Sequence, residues 1–113
     1  MVANPESGAA LAGVQDLFPA ELSVWLQRGA RLLDVREPWE YAQGRLPGAE
    51  LLPMNDIPAG VRDLAGPLVI VCATGNRSAV VAQYLIEHGV RGGVANLLGG
   101  TAGWAREGRE IER

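Results

Sequence analysis

Residues 68–89 constrain this chain more than any other stretch. Leu68-Val69-Ile70-Val71 is a short apolar run rich in β-branched residues, the signature of a fully buried strand. Cys72-Ala73-Thr74-Gly75-Asn76-Arg77-Ser78 follows, a tight loop with a glycine at its centre. Ala79 to His88 then reads as a largely buried helix, closed by Gly89. Strand, tight loop and helix start together make an anion cradle. Backbone N–H groups converge in the loop, and the helix dipole favours negative charge. The only cysteine of the chain stands at its mouth. A thiol there ionises more readily than a free cysteine, whose pKa is about 8.5. Loop N–H groups, the helix start and Arg77 are the expected causes. A thiolate inside an anion site points to chemistry on a sulfur or phosphorus oxyanion. The plain alternative for Cys72, a small buried hydrophobe, leaves Gly75 and Arg77 unexplained.

The 113 residues suit one domain, read as residues 13–113, with residues 1–12 as a small-residue mobile tail. The net charge of −3 gives nucleic acid or an anionic membrane no electrostatic attraction. No apolar run approaches the roughly 20 residues that span a bilayer. One cysteine excludes an internal disulfide and agrees with a reducing compartment, so a cytoplasmic location is expected. One cysteine and one histidine make no metal-ligand cluster, and no cofactor or metal is expected.

Along the chain, apolar runs alternate with helical patterns. Strands are expected at 14–17, 31–35, 49–52, 67–71 and 94–97. Helices are expected from Pro19 to near Gly29, from Glu37 to Tyr41, from Asn76 to His88 and around Ala102 to Glu107. In the first of these, Leu22, Trp25 and Leu26 fall on one face. Residues 55–66 read as a loop with a brief helical piece around Val61 to Leu64, and Gly99-Gly100 as a turn. Such alternation implies a parallel α/β sheet covered on both faces. Trp25, Trp39 and Trp104 read as packing residues, and the acidic C-terminus as a solvated end. His88 suits the last turn of its helix and is no candidate for catalysis.

The segment from Cys72 to Ser78 resembles the active-site loop of single-domain rhodaneses, which are sulfurtransferases. Leu32 to Tyr41 is similar to the first motif of that family, and Gly44-Arg45-Leu46-Pro47-Gly48-Ala49 to the second. Asn96 to Gly100, with Trp104 and Gly108, is similar to its C-terminal segment. The resemblance implies an α/β fold of three layers, α/β/α, with a five-stranded mainly parallel sheet in the order 3-2-4-5-1. In that order strands two and four are neighbours whose connections leave in opposite directions, which is where open α/β sheets place their ligands.

The resemblance also implies a persulfide relay. Cys72 attacks the outer sulfur of a donor such as thiosulfate, sulfite leaves, and a thiophile such as cyanide or a thiol takes the sulfur. The partners implied are a small anionic donor and a thiol or cyanide acceptor, with a protein donor or acceptor as a further class. Candidate substrate contacts are Ala73, Thr74, Gly75, Asn76, Arg77 and Ser78. Arg77 is read as an inward anion ligand, against a solvated position at the helix start. Arg36 is read either as a second positive group or as half of a structural pair with Asp34, and Ser78 either as a substrate contact or as a loop-closing hydroxyl. The loop departs from the family pattern at Ala73, where thiosulfate-preferring members often carry a basic residue. Arg45 stands where many have histidine, a change expected to affect packing.

Two rivals are a cysteine phosphatase of the same fold and a non-catalytic binding or sulfur-relay module. The phosphatase loop has five residues between cysteine and arginine, whereas four separate Cys72 from Arg77.

Overall fold

A computed structural model describes residues 13–113 of the chain. The expected N-terminal tail lies outside the described residues. Five strands form one sheet: β1 (Gln15–Leu17), β2 (Arg31–Asp34), β3 (Glu50–Leu51), β4 (Leu68–Val71) and β5 (Val94–Leu97). Every strand pair is parallel, and the order is β3-β2-β4-β5-β1, as the resemblance implied. The helices are α1 (Leu22–Gln27), α2 (Pro38–Gln43), α3 (Ile57–Gly60), α4 (Asn76–Glu87) and α5 (Gly100–Arg106).

Strand alternation splits the core between the two faces. Leu33, Leu68, Ile70 and Val94 pack on one face with Ile57 of α3 and Val81, Ala82 and Leu85 of α4. Leu32, Val69, Val71, Ala95 and Leu97 pack on the other with Leu22 and Trp25 of α1, Tyr41 of α2 and Trp104 of α5. The result is three layers. β4 lies at the centre with both faces covered, which explains its unbroken apolar sequence.

Several expectations need correction. The first helix begins as a 3-10 turn, Pro19–Glu21, and Leu26 is 39% exposed, so Leu22 and Trp25 alone carry its buried face. The 55–66 loop is more helical than expected. A 3-10 turn (Met54–Asp56), α3 and a second 3-10 turn (Val61–Asp63) follow in succession, anchored by buried Ile57. Trp39 is 64% exposed rather than packed. The C-terminal Glu110, Glu112 and Arg113 are exposed, in line with a solvated end, but the backbone there is tied down, because Arg45 and Glu112 exchange hydrogen bonds of 2.9 and 2.8 Å. Arg45 also lays its guanidinium over the Tyr41 ring, 4.6 Å from the centroid. Among the described residues, no helix is long and apolar enough to cross a membrane.

Candidate active site

β2 and β4 are adjacent and in register, with Asp34 beside Val71. Their connections diverge, β2 through α2 to β3 and β4 through α4 to β5. The segments leaving their C-terminal ends, Val35-Arg36 and Cys72-Ala73, therefore meet at the topological switch point.

The loop from Cys72 to Asn76 is held from outside by its carbonyls. Thr101 and Ala102 at the start of α5 donate N–H groups to Cys72 O (2.8 Å) and Ala73 O (2.9 Å). The Thr101 hydroxyl adds a third bond, to Cys72 O at 3.2 Å. Asn96 Nδ2 donates to Gly75 O at 3.3 Å. With these carbonyls turned outward, N–H groups are free to face the thiol, and Gly75 N–H donates to Cys72 Sγ at 3.1 Å. Two glycines make this arrangement feasible. Gly75 is left-handed (φ +103°), where a side chain is strained, and it caps α4. Gly100 is also left-handed (φ +58°), and a Cβ there would lie 2.6 Å from the Ala73 carbonyl. The Gly99-Gly100 turn of the sequence reading is thus a close-approach point, and α5 begins at Gly100 rather than Ala102.

Cys72 is 1% exposed and continues the parity of Leu68 and Ile70 toward α4. Burial pushes its thiol pKa up. The Ser78 hydroxyl and the N–H groups of Ser78, Thr74 and Gly75 pull it down by more, leaving it below the ordinary value. These loop donors, rather than the Arg77 charge, are the principal cause. Ser78 Oγ lies 3.3 Å from Cys72 Sγ and 2.6 Å from Asn96 Oδ1. Its single hydroxyl hydrogen serves one acceptor at a time. Asn96 had no assigned role in the sequence reading. The available signal was its side chain, a polar group inside the apolar strand Val94–Leu97, because a buried amide needs partners.

The two candidate cations are both already paired. Arg36 is buried, with Nε and one Nη on the Asp34 carboxylate at 2.7–3.1 Å and that same Nη on Gly44 O at 2.8 Å. Here the structural-pair reading describes the geometry. Arg77 points neither into the cradle nor freely to solvent. Its two Nη atoms clasp Glu40 of α2 at 2.8 and 2.9 Å. Arg77 holds the Glu40 carboxyl down to about 2, and the neighbouring Arg36 charge acts in the same sense. Glu40 was not a candidate in the sequence reading, because 37 positions separate it from its partner. Thr74 and Asn76 are exposed at the loop rim, and Ala73 is half-buried.

A cleft of about 290 Å³ runs beside the loop, lined by Arg36, Trp39, Glu40, Ala73, Thr101 and others. A larger hollow, about 450 Å³ around Ile86 to Val94, lies at the opposite ends of the strands, away from Cys72.

Fold and site define a class: a doubly covered parallel sheet presenting one activated thiol in a backbone cradle at the switch point. The family model for the rhodanese-like domain matches residues 18–107, and the chain belongs to that family. It is 43% identical over 82 residues to a sulfurtransferase of Allochromatium vinosum, covering 71% of this chain and 76% of the relative. It is 35% identical over 88 residues to the thiosulfate sulfurtransferase GlpE of Pseudomonas fluorescens, covering 76% and 80%. Among solved structures, a rhodanese-like domain protein of Staphylococcus aureus superposes with a TM-score of 0.72 at 35% identity, over 88% of this chain and all of the other. A rhodanese-related protein of Thermoplasma volcanium gives 0.76 at 26% identity, over 87% and 97%.

Proposed function

We propose that this chain is a sulfurtransferase that carries sulfane sulfur as a persulfide on Cys72. The observation that carries the reading is the set of loop donors at Cys72 Sγ, which lower the thiol pKa although the side chain is buried. The thiolate attacks the outer sulfur of a donor. With thiosulfate, the new S–S bond forms as the donor S–S bond breaks, sulfite leaves with the electron pair, and Cys72 persulfide remains. A thiol or cyanide then attacks the outer persulfide sulfur and regenerates the thiolate. In this scheme the N–H groups of residues 73–78 hold the donor and then the terminal sulfur, without a metal or cofactor. Ala73, Thr74, Gly75, Asn76, Arg77 and Ser78 are its contacts through their backbone, while the Arg77 side chain stays on Glu40.

The names of the curated relatives support the class, and the loop length supports sulfur over phosphorus. The single thiol suits a reducing, cytoplasmic setting. The test is the mass of the intact protein after incubation with thiosulfate and after subsequent cyanide. Gain and loss of one sulfur atom is expected, and none in Cys72→Ser. A variant that still gains the sulfur would exclude Cys72 as carrier.

A further inference from the structure

Both guanidinium groups near the loop are matched by carboxylates, Arg36 by Asp34 and Arg77 by Glu40. These four side chains sum to zero charge. A donor entering the cradle therefore meets backbone dipoles but no uncompensated cation among them. Glu40 is the more shielded member of its pair, its side chain 15% exposed against 38% for Arg77. It is fixed from two sides. Its Oε1 accepts the Glu37 N–H at 3.0 Å and Arg77 Nη1 at 2.8 Å, and its Oε2 accepts Arg77 Nη2 at 2.9 Å. It also lines the cleft that Ala73 borders.

Resting on the sulfur-transfer reading, we propose that Glu40 is a specificity-determining residue, which neutralises Arg77 and biases the site toward singly charged sulfane-sulfur donors over dianions. Thiosulfate brings two negative charges to a thiolate. The attacking complex then carries three, with the Glu40 carboxylate lining the cleft next to the loop. A monoanionic donor avoids one full unit of that repulsion. Methanethiosulfonate, CH3SO2S−, is a suitable probe, because it presents a similar tetrahedral sulfur with one charge fewer. Cys72 thiolate forms its new S–S bond to the outer sulfur, the donor S–S bond breaks, and methanesulfinate leaves with the electron pair. Both donors yield the same Cys72 persulfide.

The experiment compares kcat/KM for thiosulfate and methanethiosulfonate in the native chain, Glu40→Gln and Glu40→Asp, with melting curves to show that each variant folds. Glutamine at this helix position still accepts the Glu37 N–H. The thiosulfate-to-methanethiosulfonate ratio should rise about tenfold in Glu40→Gln, the order expected for removing one unit charge near a protein surface. Glu40→Asp, which keeps the charge, should hold the ratio near the native value. An unchanged or lower ratio in Glu40→Gln overturns the proposal. So does a rise of equal size in Glu40→Asp, which would mark a purely steric effect. If neither donor loads sulfur onto the native Cys72, the sulfur-transfer reading itself fails, an outcome separate from an unchanged ratio.

Discussion

A thiol with almost no exposed surface would ordinarily be harder to ionise, since burial disfavours the charged form. Cys72 shows the opposite because hydrogen-bond donors concentrate on one atom. Of these, Ser78 Oγ is the one side chain, and so the one that substitution removes without moving the backbone. Ser78→Ala should raise the pH at which alkylation of Cys72 reaches half its limiting rate. One neutral hydrogen bond implies a rise of up to about one pH unit. The sign follows from the donor role: losing a donor to the thiolate favours the thiol. A downward movement would mean that Ser78 serves chiefly as an acceptor, its hydrogen committed to Asn96. At this scale the sequence displayed Cys72, Gly75 and the loop clearly, because their neighbours in space are their neighbours in the chain. It offered Asp34 as a partner for Arg36 but hid the partner of Arg77. Whether Arg77 binds a ligand or a carboxylate depends on Glu40, on a different helix, which local pattern does not encode.

The helices on either side contribute differently to the cradle. α4 supplies Ser78 and the amide at its own start, whereas α5 supplies none of the groups at the sulfur. Its part is to draw carbonyls away. That requires α5 to approach within contact of Cys72 and Ala73, which Gly100 permits. Gly100→Ala should therefore cost about 1–3 kcal/mol in stability, through both the steric overlap and the left-handed backbone. It should also raise the ionisation midpoint of Cys72, because the loop can no longer hold its N–H groups inward. Chemical denaturation and pH-dependent alkylation of the same variant would check both. A stable variant with native thiol reactivity would show that α5 is dispensable to the loop. Sequence pattern located α5 but read Gly99-Gly100 only as a turn. Close approach of two backbones separated by more than twenty residues leaves no periodic trace.

For the molecule as a whole, the sheet was the most legible part of the sequence. β4 is an unbroken apolar run, whereas β1 (Gln15-Asp16-Leu17) and β3 (Glu50-Leu51) carry polar residues at the sheet edges, and the five expected segments fall within a residue or two of the observed strands. Strand order came from the family resemblance, since no single run states its neighbour. The C-terminal end was less legible: Glu112 joins Arg45 through backbone bonds that depend on neither side chain's hydropathy. The overall charge of −3 has a consequence for rates. With the arginines at the site already paired, a dianionic donor approaches a molecule of like sign. Added potassium chloride should screen this repulsion and raise kcat/KM for thiosulfate about twofold between low salt and 0.3 M. A fall with salt, the behaviour of a cationic site, would contradict the charge balance drawn from the two ion pairs.

The alternation along β4 carries a final implication. Leu68, Ile70 and Cys72 face α4, while Val69 and Val71 face α5. The address of the thiol is therefore odd or even before it is anything else. A lineage that gained or lost a single codon within this strand would turn its thiol to the wrong side of the sheet, into the hydrophobic layer of Val69 and Val71 and away from Ser78. Length changes here are constrained to steps of two, although the strand contains no residue that touches a substrate.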